Sequence, residues 1–156
     1  MIELDAKDRK ILNLLQRNNM TPHREIADRV GLSTPAVTRR IGRLRKSGTV
    51  RADVSVIDAE SVGRPLTIVT QVVADSDQLK SLDQLRRTFG QCPQIQQCFY
   101  VTGDADFVLI FSVANISEYN ELTRKLFFST EHVKRFTTFV AMETLKSDLM
   151  VVIPEK

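Results

Sequence analysis

The 156-residue sequence has no long apolar run and only two cysteines, six glycines and five prolines. No run approaches the roughly 18 to 20 apolar residues of a membrane-spanning helix, and the first residues lack the basic-then-apolar layout of a signal peptide. Cys92 and Cys98 have neither C-x-x-C nor zinc-ribbon spacing, which predicts that they pack in the fold rather than form redox or metal sites. These absences predict an intracellular, cytoplasmic protein without membrane contact.

Residue types that carry catalysis or bind metals are scarce. His23 and His132 lie outside H-E-x-x-H and outside a metal-spaced cluster with the cysteines, and we interpret both as solvated. The glycines include no G-x-G and no G-x-x-x-x-G-K, so cradles for dinucleotides and nucleotide phosphates are excluded. We therefore predict that the protein is not an enzyme and has no catalytic residues, no metal and no cofactor.

The charge of the chain is divided unevenly. Residues 1–52 hold 12 Lys and Arg against 5 Asp and Glu, a balance of +7, whereas the remainder holds 10 against 14. A basic segment joined to an acidic remainder is expected when one part binds a polyanion and the other has a different task. We predict two domains, residues 1–60 and residues 61–156, which meet at a hinge over residues 61–65.

Apolar residues at helical spacing predict three helices in the first domain. They run from Leu4 to Gln16, from the Thr21-Pro22 cap to Gly31, and from the Ser33-Thr34 cap to Ser47-Gly48, followed by a short strand or wing over residues 49–57. A tight turn between the last two helices is typical of a winged helix-turn-helix, whose final helix enters the major groove.

The third helix carries its arginines roughly opposite its apolar stripe, at about 100° per residue. Arg39 has the geometry to contact guanine with both guanidinium donors, while the arginines beyond it suit phosphate positions. We predict double-stranded DNA as a partner. The predicted DNA-binding residues are Ser33, Thr34, Pro35, Thr38, Arg39, Arg40 and Arg43.

The second part of the chain has β-branched runs in place of helical stripes. The predicted strands cover residues 66–73, 95–102, 107–114 and 136–142, with amphipathic helices at residues 79–90 and 115–126 and an edge strand at residues 149–153. The order β-α-β-β-α-β predicts a ferredoxin-like domain. The fold class of the whole chain is therefore predicted to be α+β.

One face of this sheet is predicted to meet a partner. Both helices of such a domain cover the same face, yet the run Phe107–Phe111 does not alternate with polar residues, which predicts that the second face is buried too. A homodimer through the sheets explains this, with Phe127 and Phe128 available for a further contact. The alternative is that the first domain or long neighbouring side chains shield the strand.

The hairpin after the second strand carries Gly103, Asp104 and Asp106. Asp and Gly in a hairpin most often serve the turn itself. A functional interpretation is that a carboxylate and backbone groups beside Gly103 hold the charged head of a small zwitterion at the dimer seam. A calcium loop is excluded because further oxygen ligands at regular spacing are missing.

The chain resembles the leucine-responsive regulatory protein and asparagine-synthesis regulator family, written Lrp/AsnC, over nearly its whole length. Residues 4–16 resemble the family's opening L-D-x-x-D-x-x-I-L-x-x-L-Q, and residues 25–48 its winged helix-turn-helix. Residues 98–107, C-F-Y-V-T-G-D-A-D-F, resemble the hairpin of its effector domain, and residues 139–146 resemble that domain's last strand.

The resemblance implies a transcription regulator that forms dimers, often assembled into octamers, and that binds an amino acid between effector domains of neighbouring subunits. It also implies association with the nucleoid. Carried over by position, the effector-binding residues are Tyr100, Gly103, Asp104 and Asp106, with Thr138, Phe139 and Ala141 contributed from a facing strand. Which of the two aspartates faces the ligand stays open, because one residue of register turns a side chain to the other face.

Two other functions remain as alternatives. One is an architectural protein that wraps DNA as an oligomer and ignores small molecules. The other is a tetrapyrrole decarboxylase on the same two-domain plan, which requires acid-base groups in the effector domain, where His132 is the sole histidine.

Overall fold

Caps and apolar stripes form three helices in the first part of the chain. The structure, a computed structural model, describes residues 2–75 and 79–155, and of Leu79 the backbone alone. The helices are α1 (Ala6–Arg17), α2 (His23–Val30) and α3 (Thr34–Lys46). Helix α1 starts after Asp5, whose carboxylate accepts a hydrogen bond from the Asp8 backbone N–H (2.8 Å). Helix α2 starts at His23, because the Thr21 hydroxyl donates to the Asn18 carbonyl (2.7 Å) instead of capping it.

The three helices enclose one apolar core. Gly31 ends α2 with φ +65°, a left-handed conformation that favours glycine and turns the chain into α3. Leu4, predicted to share the stripe of the first helix, is only partly buried, and the other predicted stripe residues are buried: Ile11, Leu12, Leu15, Ile26, Ala27, Val30, Val37, Ile41 and Leu44.

Two predicted strands are absent from the structure. Residues 49–57 and 149–153 are described and contain no strand. The later segment instead lies along α1, where Gln16 donates to the Val151 carbonyl (2.9 Å) and accepts from its N–H (3.1 Å). Asn13 donates to the Ile153 carbonyl (3.2 Å). The prediction of an edge strand was wrong because side chains of α1, rather than a neighbouring strand, satisfy this backbone.

The second part of the chain forms the predicted order of elements. They are β1 (Leu66–Ala74), α4 (Leu79–Gly90), β2 (Ile95–Tyr100), β3 (Phe107–Val113), α5 (Ile116–Thr123), a π-helical turn (Arg124–Phe128) and β4 (Val133–Val140). The four strands make one antiparallel sheet in the order β2-β3-β1-β4. With the N-terminal helix-turn-helix, this confirms the predicted α+β fold class.

The chain divides into two units by its internal contacts. One comprises Met1–Val56 with Lys146–Lys156, and the other comprises Ile57–Leu145. The segment after residue 145 therefore belongs with the three helices, although it follows the sheet in sequence.

One face of the sheet packs against α4 and α5. Leu82, Leu85 and Phe89 of α4 are buried there, as predicted, while the side chain of Leu79, predicted to join them, lies outside the described residues. Phe127 is also buried, with its ring 6.0 Å from that of Phe89 in an edge-to-face arrangement. The predicted intermolecular contact through Phe127 was therefore wrong, because this side chain completes the core.

The other face of the sheet is apolar but open in the single chain. Burial along β3 alternates between fully buried and half-buried residues, so the single chain leaves this face partly exposed, and its predicted burial by a partner subunit stays a prediction. The strand register places six large apolar residues on the open face: Val69, Val73, Phe99, Val108, Ile110 and Phe139. The rings of Phe99 and Phe139 are each about half exposed.

Within the described residues, the helices are too short or too polar to cross a membrane.

Candidate DNA-binding and effector sites

Helix α3 presents one buried and one exposed face. Val37, Ile41 and Leu44 are fully buried, as the predicted stripe requires. The Ser33 hydroxyl caps the helix by accepting from the Ala36 backbone N–H (3.4 Å), and Pro35 lies in the first turn. The cap and the stripe together direct the first turn of α3 and the side chains of its opposite face toward solvent.

Two of the predicted DNA-binding arginines are engaged inside the protein. Arg40 donates from Nη1 to Asp5 Oδ2 (2.7 Å) and to Asp8 Oδ1 (2.8 Å). Arg43 forms an ion pair with Asp8, whose side chain is fully buried. The carboxylates at the start of α1 thus hold α3, and the predicted phosphate contacts of both arginines stay predictions beside this structural role.

The ion pairs between the start of α1 and α3 also shift the pKa values of Asp5 and Arg40. Hydrogen bonds from the Asp8 backbone N–H and from Arg40 lower the pKa of Asp5. The same pairing raises the pKa of Arg40, chiefly through its bonds to Asp5 and then to Asp8. Both groups are therefore held in their charged forms.

Our sequence interpretation missed the role of Asp8. The D-x-x-D spacing at the helix start was the available signal, because an acidic residue at the third helical position closes a capping box. Burial under two arginines more than thirty residues later is not visible in that local pattern.

Arg39 differs from its neighbours. Its side chain is exposed, and among the described residues it takes part in no hydrogen bond or ion pair. Arg45, by contrast, donates to Asp53 Oδ2 (2.9 Å). Arg39 is thus available for an intermolecular contact without breaking a bond within the described chain.

The Thr38 hydroxyl has two hydrogen-bond partners within the protein. Its hydroxyl lies 3.1 Å from the Thr34 carbonyl and 2.8 Å from His23 Nδ1. His23 is half-buried and bonded to Thr38, so its interpretation as a solvated side chain holds only in part. The first residue of α2 therefore contacts the exposed face of α3.

The hairpin between β2 and β3 separates the two candidate carboxylates. Gly103 has φ +119°, which favours glycine, and the Val101 N–H donates to the Asp106 carbonyl (2.8 Å). The Asp106 carboxylate accepts from the Ala74 backbone N–H (2.8 Å), so it ties the hairpin to the end of β1. Asp104 is exposed.

Tyr100 lies at the end of β2 beside this hairpin. Its ring packs on Phe107, with 5.3 Å between the ring centroids. The guanidinium of Arg86, from α4, lies over the same ring at 4.6 Å from its centroid. The sequence interpretation did not include Arg86, because its contact with Tyr100 joins a helix to a strand.

The remaining predicted effector residues lie at the opposite edge of the sheet. Strands β2 and β4 are the two edge strands, three spacings or roughly 14 Å apart. Within β4, the Thr138 hydroxyl bonds to the Tyr119 hydroxyl (2.6 Å) on the helix-covered face, whereas Phe139 points to the open face. The Ala141 N–H donates to the Thr67 carbonyl (3.0 Å). One chain therefore does not bring the two groups together.

A cavity of about 320 Å³ lies elsewhere in the sheet unit. Its lining includes Arg64, Gln94 and Ser112, and none of the predicted effector residues. Arg64 also pairs with Glu118, whose pKa is lowered by a hydrogen bond from the Ala114 N–H and by Arg64. Among the residues described, no group of three or more His, Cys, Asp or Glu side chains is placed to hold a metal ion.

Two family models match the sequence. The AsnC-type helix-turn-helix domain matches residues 4–45, and the Lrp/AsnC ligand binding domain matches residues 67–151, more than half of the chain. The chain belongs to the Lrp/AsnC family. As a member of this family, it is a transcriptional regulator with a helix-turn-helix and a ligand-binding domain.

Individual relatives agree with this assignment. The regulator is 38% identical over 152 residues to an uncharacterized HTH-type transcriptional regulator of Sinorhizobium fredii. The aligned region covers 97% of this chain and 90% of the relative. An AsnC family transcriptional regulator from Agrobacterium tumefaciens has the same fold, with a TM-score of 0.90, 25% identity and coverage of 96% and 97% of the two chains.

A third protein shares the fold of this Lrp/AsnC member. It is a transcriptional regulator from Neisseria meningitidis, solved as a complex with L-Met. The TM-score is 0.89 at 23% identity, with 96% of this chain and 97% of that chain covered.

Proposed function

We propose that this protein is a sequence-specific DNA-binding regulator whose DNA binding or assembly responds to an amino acid bound between effector domains of a homo-oligomer. The observation that carries the proposal is the exposed Arg39, which has no hydrogen-bond partner among the described residues, on the outer face of a helix-turn-helix whose inner face is core. We assign DNA binding to residues 1–60, and effector binding and assembly to residues 61–156, of which the last segment, after residue 145, is grouped with the three helices. A regulator of this kind works on the chromosome, so we place it at the nucleoid.

The exposed residues of α3 support the DNA-binding half of the proposal. Ser33, Thr34, Pro35, Thr38 and Arg39 lie in its first turns, the part that enters the major groove in helix-turn-helix proteins. Because Arg39 keeps its donors free within the described chain, it is our choice for the base contact. Lys46, at the end of α3, suits a phosphate instead.

Arg39→Ala is expected to weaken binding to the preferred duplex by about 1 to 3 kcal/mol, with a much smaller effect on unrelated duplexes. Lys46→Ala is the matched control, because loss of a phosphate contact weakens all sequences alike and makes the salt dependence shallower. The measurement is fluorescence anisotropy titration of both duplexes over a range of salt concentrations. Equal losses for both variants on both duplexes would contradict the proposed base contact.

The placement of the effector residues favours an assembled site. Tyr100 lies on the edge strand β2, with Gly103 and Asp104 in the hairpin beside it, and Asp106 is bonded to the end of β1. Thr138, Phe139 and Ala141 lie on or just after the other edge strand, β4. A ligand that touches both groups needs the edge of one chain to face that of another. The apolar open faces support a homodimer through the sheets, and we propose that edges of neighbouring chains meet in a larger assembly, an octamer.

Asp104 is the carboxylate that we propose for the effector's ammonium group. Asp106 already accepts a hydrogen bond from the Ala74 N–H, whereas Asp104 is exposed beside Gly103. An amino acid effector is supported by the match to a ligand-binding domain and by the L-Met complex of a protein with this fold.

A thermal-shift screen against the twenty amino acids, run beside light scattering, tests the effector. One amino acid should raise Tm with a dependence on its concentration, because it binds only the folded state. Asp104→Asn should abolish this shift and leave Tm without ligand unchanged, whereas Asp106→Asn should lower Tm without ligand. No shift with any of the twenty, despite intact oligomers, would favour the architectural function.

A further inference from the structure

The Thr38 hydroxyl has one proton, and two neighbours compete for it. One neighbour, the Thr34 carbonyl (3.1 Å), is only an acceptor. The other, His23 Nδ1 (2.8 Å), donates or accepts according to the tautomer of the ring. The hydroxyl oxygen can also accept hydrogen bonds through its two lone pairs.

Both tautomers of His23 lead to the same state of Thr38. If Nδ1 carries a proton, it donates to the Thr38 oxygen, and the hydroxyl proton goes to the Thr34 carbonyl. If Nδ1 is bare, the hydroxyl proton goes to Nδ1, because two lone pairs would repel each other at 2.8 Å. In each arrangement the proton is held within the protein, and a lone pair of Thr38 remains toward solvent.

A hydroxyl restricted to accepting discriminates among groups on DNA. Phosphate oxygens are acceptors, as are guanine O6 and N7 and thymine O4, so none of them offers Thr38 a hydrogen. The exocyclic amino groups of adenine (N6) and cytosine (N4) are the donors in the major groove. Thr38 lies on the exposed side of α3, one residue before Arg39.

We infer that Thr38 reads the amino group of an adenine or cytosine in the major groove, and that His23 is the positioning residue that keeps its hydroxyl an acceptor. This inference rests on the proposed sequence-specific DNA binding by α3. It gives the first residue of α2 a role in sequence preference without direct contact to a base.

The test starts with a randomised duplex library enriched on the full-length wild-type protein. In the preferred duplex, single adenines or cytosines are then replaced by purine or pyrimidin-2-one, which lack the amino group. At one position this deletion should weaken wild-type binding roughly two- to tenfold, the range for one hydrogen bond. Thr38→Val, which keeps the shape, should bind both duplexes equally, and Thr38→Ser should retain the discrimination.

Variants of His23 test its positioning role separately. His23→Ala leaves the Thr34 carbonyl, among the described residues, as the remaining acceptor for the hydroxyl proton, so the hydroxyl rotates and donates more readily and guanine or thymine should be better tolerated at the same position. His23→Asn places an amide near the position of Nδ1 and should restore the preference. Equal Tm values for these variants and wild type show that the helices remain folded.

Three outcomes distinguish a failure of this inference from a failure of the proposed sequence-specific DNA binding. A wild-type protein that enriches no sequence defeats the proposed function and the inference together. An enriched sequence on which Thr38→Val discriminates like wild type overturns the inference alone. A uniform loss for Thr38→Val on all duplexes also overturns it, because that result indicates a phosphate contact.

Discussion

Replacing Val69 or Ile110 by aspartate is expected to convert the proposed homodimer into monomers. The two residues are paired across β1 and β3, and Val69 is also paired with Phe139 of β4, so they form the middle of the open apolar face. In a twofold interface each substitution places two carboxylates in the contact. Burial of each unpaired charge costs several kcal/mol, which exceeds what an interface of ordinary size tolerates.

The measurement is molar mass by light scattering at several protein concentrations. Asn120→Asp is the matched control, since it makes the same change of charge on the exposed side of α5. Phe139→Asp changes a half-exposed ring on an edge strand, so it should disturb the fold least. It therefore tests the interface even if the more central variants fail to fold. Unchanged mass for all three sheet variants, with normal thermal transitions, would show that the subunits meet elsewhere.

Asp8→Ala is expected to lower the free energy of unfolding of the helical unit by about 3 kcal/mol. Removal of one partner of a buried ion pair typically costs about 3 to 5 kcal/mol, because the other charge keeps its desolvation without its partner. We expect the lower end of that range. The side chains of Arg40 and Arg43 are 25% and 47% exposed and can turn toward water after the change.

Urea unfolding followed by the helical circular dichroism signal gives this free energy. Asp53→Ala is the control, because it also removes a carboxylate from an arginine of α3, but from the exposed pair with Arg45. That pair should contribute about 1 kcal/mol or less. Similar losses for the two variants would mean that the buried position of Asp8 has no special effect.

Much of the fold follows from local patterns in the sequence. The stripe Val37, Ile41 and Leu44 predicted both the helix and its buried face, since three to four residues make one turn. The β-branched runs predicted all four strands of the sheet to within a few residues at their ends. Residues 49–57 were expected to form a strand or wing, but extended backbone becomes a strand only where another strand pairs with it.

The candidate sites were harder to predict than the elements that carry them. The sequence predicted a base contact for Arg39 and phosphate contacts for Arg40 and Arg43, but it did not show that they differ in their partners within the protein. The difference arises at Asp8, which engages the last two and leaves Arg39 free among the described residues. In the hairpin, Asp104 and Asp106 were equivalent until the Ala74 N–H distinguished them.

The sequence by itself determined the class of the fold, the order of its elements and the basic face of α3. These features depend on periodicity, caps and charge, which act between residues a few positions apart. Only the tertiary structure decided that Asp8 is buried beneath α3, that His23 bonds to Thr38, and that the effector residues lie at two edges of one sheet. These decisions depend on contacts between elements distant in sequence, for which the chain carries no local signal.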